Sequence, residues 1–153
     1  MEYIQAPKPP GGRNPFLELP GLSDDRATLI VHRTAHCFLV LNRFPYNAGH
    51  LLAIPYREVA LLENLEPAES LDLMNLLTTA TLILRKAIQP EGFNIGLNLG
   101  CAAGAGIPSH LHFHIVPRWG GDTNFMPVIG NTRVLPQSLE AMWERLTAAR
   151  SEI

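Results

Sequence analysis

The alternation in "HLHFHIV", His110 to Val116, restricts this chain more than any other feature. Side chains on a β-strand point to opposite faces with period two. His110, His112 and His114 therefore share one face, and Leu111, Phe113 and Ile115 share the other. On a helix the same imidazoles would scatter around the axis. The apolar set needs a core, so the run predicts a sheet with one packed face and a cleft that receives the imidazole row.

The rest of the chain supplies that sheet. "ATLIVHR", "HCFLVLN" and "HLLAIP" read as three strands, with a turn at "TA" and turn chemistry in "RFPYNAG". Pro55 ends the third. A helix is predicted from Pro67 to Ile88, with Pro67 in its first turn, Glu66 and Glu69 at the positive end of the helix dipole, and Arg85 and Lys86 at the negative end. Leu73, Leu76, Ala80, Ile83 and Ala87 form one buried stripe. Leu71, Met74, Leu77 and Leu84 widen it, so a sheet, a second subunit or both should cover the helix. "FNIGLNLG" and "HLHFHIVPR" read as a fourth and a fifth strand, the latter ended by Pro117. "LPQSLEAMWERLTAAR" reads as a C-terminal helix. Strands, one long helix, then strands again argue an α+β fold: an antiparallel sheet of about five strands with the helix on one face. One domain over residues 1–153 is expected, with an irregular Pro- and Gly-rich segment over residues 1–20.

Composition narrows the partners. Net charge is −2 and the sequence pI about 6.3. No basic field exists to hold long nucleic acid, although a local site can still bind a small anion. Cys37 and Cys101 form neither a disulfide framework nor a CxxC site, and both are expected as small, reduced core residues. The opening "MEYIQAPKPPGGRNPF" lacks the layout of a signal peptide, and no apolar run is long enough for a membrane helix. A cytoplasmic protein is the expectation.

Three jobs compete for the imidazole row. Three unrelated surface histidines would be an ordinary polar face, but identical residues at alternate positions are not ordinary. A zinc site would suit imidazole. However, positions i and i+4 stand about 13 Å apart along a strand, no cysteine or carboxylate accompanies the row, and Asp122 is the nearest candidate. Nucleophilic or acid-base catalysis on a phosphate group fits best. A neutral imidazole is a good nucleophile near pH 7, and Nε2 keeps its lone pair for the cleft when Nδ1–H donates to a carbonyl. Flanking imidazoles can donate to phosphate oxygens as charge shifts. The small-residue loop Gly100 to Ser109, with Gly104 and Gly106, precedes the row, and exposed backbone N–H groups there would add an anion-binding concavity. His32 and His36 are expected at the surface.

"HLHFHIVPR" resembles the HxHxHxx motif of the histidine triad (HIT) superfamily of nucleotide hydrolases and transferases. "LNRFPYNAGHLLAIPYR" is similar to the family's strand-turn-strand. "GFNIGLNLGCAAGAGIPSHLHFHIVPRWGGDTNFMPV" resembles the bacterial subgroup that includes diadenosine tetraphosphate phosphorylases, "PRWGGDTNF" being its most specific piece. The match runs from about Thr28 to Val128. The resemblance implies a HIT-like fold and an enzyme that cleaves the α-phosphate linkage of adenosine nucleotides. His112 would be the nucleophile and form a covalent nucleotidyl-histidine. His114 would contact the α-phosphate, His110 would pair with His50 as a brace, and Asn42 would hydrogen-bond the ribose. Asn98 and Ser109 would lie near the phosphates or the leaving group. No cofactor is implied, Mg2+ being admitted with a polyphosphate substrate, and relatives are usually dimers.

The chain departs from its relatives where many carry "CPFC". Here the stretch reads "NPFL", Asn14 to Leu17, so a metal site there is expected to be absent. Phosphate as the acceptor would make a phosphorylase that releases ADP and ATP from diadenosine tetraphosphate, and "PRWGGDTNF" favours this by resemblance. Water as the acceptor would make a hydrolase. A phosphoramidase and a non-catalytic nucleotide-binding module remain as further readings. Arg118 is open between holding phosphate and being a solvated charge, and Trp119 between stacking on a base and packing at a subunit contact.

Overall fold

The computed structural model describes residues 12–123, 129–130 and 137–153. The chain enters through α1 (Pro15–Glu18), a 3-10 turn at Leu19–Gly21 and α2 (Asp25–Thr28). Then come β1 (Ile30–Arg33), β2 (Cys37–Leu41) and β3 (Leu51–Pro55), followed by the long helix α3 (Pro67–Ile88). β4 (Gly92–Gly96), β5 (Phe113–Arg118) and α4 (Leu139–Arg150) complete it. The sheet is antiparallel with strand order β1-β2-β3-β5-β4, so the histidine-bearing strand lies inside and β4 forms an edge.

α3 forms where its local chemistry says it should. Pro67 stands at the start, and Glu66 N–H donates to Glu69 Oε2 at 2.9 Å, which satisfies an amide the helix cannot. Glu69 is itself buried and is held by Arg57 at 2.9 and 2.7 Å. Leu73, Leu76, Ala80, Ile83 and Ala87 all bury, as their spacing requires, with Leu77 and Leu84 beside them. Each fully buried Leu or Ile contributes about 1.5–3 kcal/mol of transfer free energy. The stripe packs on β2, β3 and β5, and α4 packs on α3 and β1. Leu71 and Met74, in contrast, face outward at 64% and 61% exposure.

Several boundaries differ from the sequence expectation. The N-terminal segment is not irregular throughout: Asn14 accepts from Phe16 N–H at 3.0 Å and starts a helical turn, and Phe16 is buried. Ala27 and Thr28 belong to α2, capped by Asp24, rather than to β1. β4 ends at Gly96 instead of reaching Gly100. β5 runs through Pro117, whose carbonyl accepts from Asn47 Nδ2 at 3.1 Å. α4 begins at Leu139 behind the Ser138 cap, and Leu135 and Pro136 lie outside the described residues. Cys37 is buried but Cys101 is exposed, and His32 is half-buried while His36 is exposed.

Candidate active site

The histidine row begins before its strand does. The register pairs Ala53 with Phe113, which brings Pro55 opposite Leu111. Proline has no N–H, so the ladder stops there. Leu111 N–H turns to Val59 O at 2.7 Å, and Pro55 O is left to accept from His110 Nε2 at 2.8 Å. The row thus lies outside the ladder over His110–His112 and within it from Phe113 onward. His114 sits in the ladder between Leu52 of β3 and Gly96 of β4. Gly96 carries no side chain, and a Cβ there would meet nothing within 4 Å. The register therefore opens space beside His114.

Which nitrogen holds each proton follows from what its partner can do. Tyr46 N–H can only donate, so His50 Nδ1, 3.0 Å away, accepts. His50 then carries its proton on Nε2 and donates it to His114 Nδ1 at 2.9 Å. His114 in turn carries its proton on Nε2. His112 Nδ1 lies 2.9 Å from the His110 carbonyl, which can only accept, so His112 donates there and keeps its lone pair on Nε2. Adjacent imidazoles of the row, with ring centroids 5.0 Å apart, thus differ in kind: His112 offers an electron pair and His114 a proton.

Burial holds these rings neutral. It pushes the His110 and His112 imidazoles below the usual histidine range. It takes His114 down to about 4, with His112 adding to the shift. A neutral His112 at pH 7 is the nucleophilic form.

The expected brace is arranged differently. His50 pairs with His114, not with His110; His110 is held instead by Pro55 O and by Asn14 Nδ2, 2.9 Å from its Nδ1. The reason is register. His50 directly precedes β3, and Leu51 and Leu52 stand opposite Ile115 and His114, at the far end of the row from His110. Gly49 permits the turn into β3: its φ is +76°, and a Cβ there would stand 2.6 Å from Ile88 Cδ1.

The remaining predicted residues spread around this centre. Asn42 follows β2, accepts from Phe44 N–H at 3.0 Å, and has Nδ2 3.4 Å from His50 Nδ1, so it shapes the turn beside the site. Ser109 is tied to Glu58 Oε1 at 2.8 Å. Gly104 closes the 3-10 turn Cys101–Ala103 with φ +84°, and Gly106 is exposed in the same loop. Asn98 is half-buried between β4 and that loop. Arg118 is committed: it grips Asp122 through two bonds of 2.7 Å and Asn94 through a third of 2.7 Å. Arg118 first, then Trp119 N–H, holds the Asp122 carboxyl far below its usual range. Asp122 is therefore no partner for the row. Among the described residues, no group of three His, Cys, Asp or Glu is arranged to hold a metal ion.

Sequence reasoning missed four contributors. Phe16 places its ring edge-on to His110 and His112, with centroids 5.6 and 5.0 Å away. Tyr46 stacks on His114 at 5.7 Å. Asn14 and Glu58 close the far end. The "NPFL" stretch had marked Asn14 only as the place of a missing cysteine and said nothing of Phe16, and nothing in "IPYREV" marks Glu58.

The family model described as HIT domain matches residues 24–121. A Mycobacterium tuberculosis protein named AP-4-A phosphorylase is 49% identical over 125 residues, which are 82% of this chain and 64% of that protein. The chain thus spans less than two thirds of that relative's length. A Schizosaccharomyces pombe protein named bis(5'-nucleosyl)-tetraphosphatase (asymmetrical) is 34% identical over 93 residues, 61% of this chain and 50% of that protein. A zinc-bound histidine triad family protein from Mycobacterium smegmatis shares the fold, with TM-score 0.70 and 22% identity over 90% of this chain and 91% of that one.

Proposed function

The chain belongs to the HIT family, and we propose that it is a nucleotidyltransferase splitting diadenosine tetraphosphate into ADP and ATP, with inorganic phosphate as acceptor. One observation carries this reading: His112 Nδ1–H is spent on the His110 carbonyl, which leaves Nε2 unprotonated, while neighbouring His114 carries its proton on Nε2. The name of the mycobacterial relative supports this choice of substrate and acceptor.

In the first step His112 Nε2 attacks an α-phosphorus. The bond from that phosphorus to its bridging oxygen breaks, and ATP leaves. The positive charge on the adenylylated ring is stabilised by the carbonyl that holds Nδ1–H. His114 Nε2–H donates to a phosphate oxygen as its charge grows, which lowers the barrier more than the ground state. In the second step a phosphate oxygen attacks the same phosphorus, the P–N bond breaks, and His112 returns neutral with ADP released. Asn42 would hold the ribose hydroxyls; Asn98, Ser109 and the amides around Gly104 and Gly106 would line the polyphosphate. No cofactor enters this route, and Mg2+ would accompany the substrate only as its counter-ion.

The yeast relative's name supports a second reading, in which water replaces phosphate. Chromatography of products from diadenosine tetraphosphate separates the two. ADP plus ATP formed only when phosphate is present is the expected outcome. AMP plus ATP regardless of phosphate assigns the hydrolase, and no turnover assigns a nucleotide-binding module.

Among the described residues no helix is long and apolar enough to cross a membrane. A cytoplasmic homodimer belongs to the same proposal. It is supported by the outward Leu71 and Met74 of α3 and by β4 as an open sheet edge bearing Ile95 at 44% exposure. Light scattering that finds a monomer at micromolar concentration would remove the dimer.

A further inference from the structure

Asn14 joins three parts of the chain that are distant in sequence. Its Oδ1 accepts from Phe16 N–H at 3.0 Å, a donor that cannot reverse, so its amide nitrogen must face the other way. That nitrogen donates to Glu58 Oε1 at 2.9 Å and stands 2.9 Å from His110 Nδ1. A side-chain amide nitrogen has two protons and accepts nothing. Its two protons therefore meet two acceptors, Glu58 and His110 Nδ1. The second proton-bearing position of His110, Nε2, donates to Pro55 O at 2.8 Å.

The ring is wholly enclosed, at 0% exposure. Around it stand the Phe16 ring from α1, Pro55 at the end of β3, and His112 on its own segment. Glu58 is the charged group on this side. It is oriented from behind by Ser109 Oγ at 2.8 Å, and that bond, with Asn14's, holds its carboxyl below the usual range.

We propose that Asn14, oriented by Glu58, is a positioning residue for the nucleophile: it locks the His110 ring as the neutral Nε2–H tautomer beside His112, whose own Nδ1–H donates to the His110 carbonyl. Asn14 touches neither substrate nor reacting atoms. It acts through His110, keeping that ring uncharged beside the nucleophile. This rests on the reading of His112 as nucleophile given above, but the tautomers themselves are measurable without turnover.

The reason for a lock is the lability of imidazole. A neutral histidine exchanges tautomers freely unless its neighbours forbid it. Were His110 to protonate at Nδ1, it would become an imidazolium beside His112. It would then disfavour the positive charge that builds on His112 during attack. An amide donor at Nδ1 prevents this, because a protonated Nδ1 would face another N–H.

The test uses two variants that keep the helix cap, since Asp and Ser both cap well. Asn14→Asp replaces the donor with an acceptor, and Asn14→Ser withdraws it. Long-range nitrogen-proton spectra of the ring nitrogens read the tautomers directly. In the parent we expect His110 protonated at Nε2 alone and His112 at Nδ1 alone at neutral pH. In Asn14→Asp, His110 should gain a second proton near neutrality. The acid limb of kcat/KM should then move to higher pH, because a group that must be neutral now titrates later. In Asn14→Ser, kcat should fall about tenfold, the worth of one buried hydrogen bond, with KM for the nucleotide unchanged within about twofold.

A parent spectrum with the proton on His110 Nδ1 overturns the proposal before any variant is made. So does an Asn14→Asp protein whose His110 stays singly protonated and whose pH profile overlays the parent's. If the tautomers behave as expected but no adenylylated His112 forms in rapid-quench experiments, the nucleophile reading fails and the lock stands.

Discussion

The two ends of the imidazole row are held by different kinds of partner. At the His114 end the chain of bonds starts from a main-chain donor, Tyr46 N–H, and passes through His50. At the His110 end it starts from a side chain, Asn14, carried on a helical turn of four residues. A backbone N–H survives any substitution except proline, whereas a side-chain amide is lost with one. The first donor at the His114 end is thus supplied by the fold, and the donor to His110 Nδ1 by residue choice, while His110 Nε2 is held by the Pro55 carbonyl. His112 lies between them, its Nδ1–H held by the main-chain carbonyl of His110.

The largest effect is expected where the two ends meet. His112→Asn should lower turnover by about a thousandfold or more while nucleotide binding persists, because only the attacking nitrogen is removed. Single-turnover kinetics and a binding isotherm check both halves, and a variant turning over near the parent rate would reassign the nucleophile. Next comes the inner link of the His114 end. His50→Ala leaves His114 Nδ1 without its donor, so kcat should drop about tenfold to a hundredfold and stability by about 2 kcal/mol, the cost of an unsatisfied buried acceptor. A chemical denaturation series beside the kinetics measures it.

Acid should weaken both ends together. His110, His112 and His114 all have folded pKa values below the unfolded value, His114 at about 4. Between that value and about 6.5 the unfolded chain binds more protons than the folded one. Stability contributed by these neutral rings is therefore complete above pH 6.5 and declines as pH falls through that window. Thermal melts from pH 7.5 to pH 4.5 should show a falling midpoint, and His114→Phe should flatten the fall. A melting temperature level across that range contradicts the buried, neutral row.

The smallest effect sharpens the contrast most. Tyr46→Ala keeps the main-chain N–H that holds His50, so the His50 and His114 tautomers should be unchanged in ring-nitrogen spectra despite loss of the stacked ring. A tautomer exchange in that variant would mean that the aromatic ring, and not the backbone, secures this end.

Much of the fold was legible because its signals are local. The Pro67–Ile88 helix carries its own cap chemistry and a stripe that needs no partner to be recognised, and its observed limits are those expected. The interior strands are short apolar runs closed by turn residues. Boundaries failed where a distant residue decided them. β5 starts late because Pro55, on another strand, cannot continue the ladder. Residues 15–21 turn helical around a Phe16 that packs against rings almost a hundred positions away.

The site divides along the same line. That His110, His112 and His114 form a row, and that its chemistry suits phosphate, was legible in residue types at alternate positions; the expected opening of the whole row to a cleft fails at His110, which packing encloses completely. Residue order also placed His50 at the start of a strand, one residue before the observed start of β3. It did not say which imidazole His50 would reach, since that depends on the register of β3 against β5. Nor did it name Asn14 and Glu58, whose roles exist only once α1, the turn after β3 and the approach to β5 come within hydrogen-bond reach. A hydrogen bond requires about 3 Å and a fixed direction, so proton positions on the row belong to the packed chain, while the capacity to carry them belongs to the sequence.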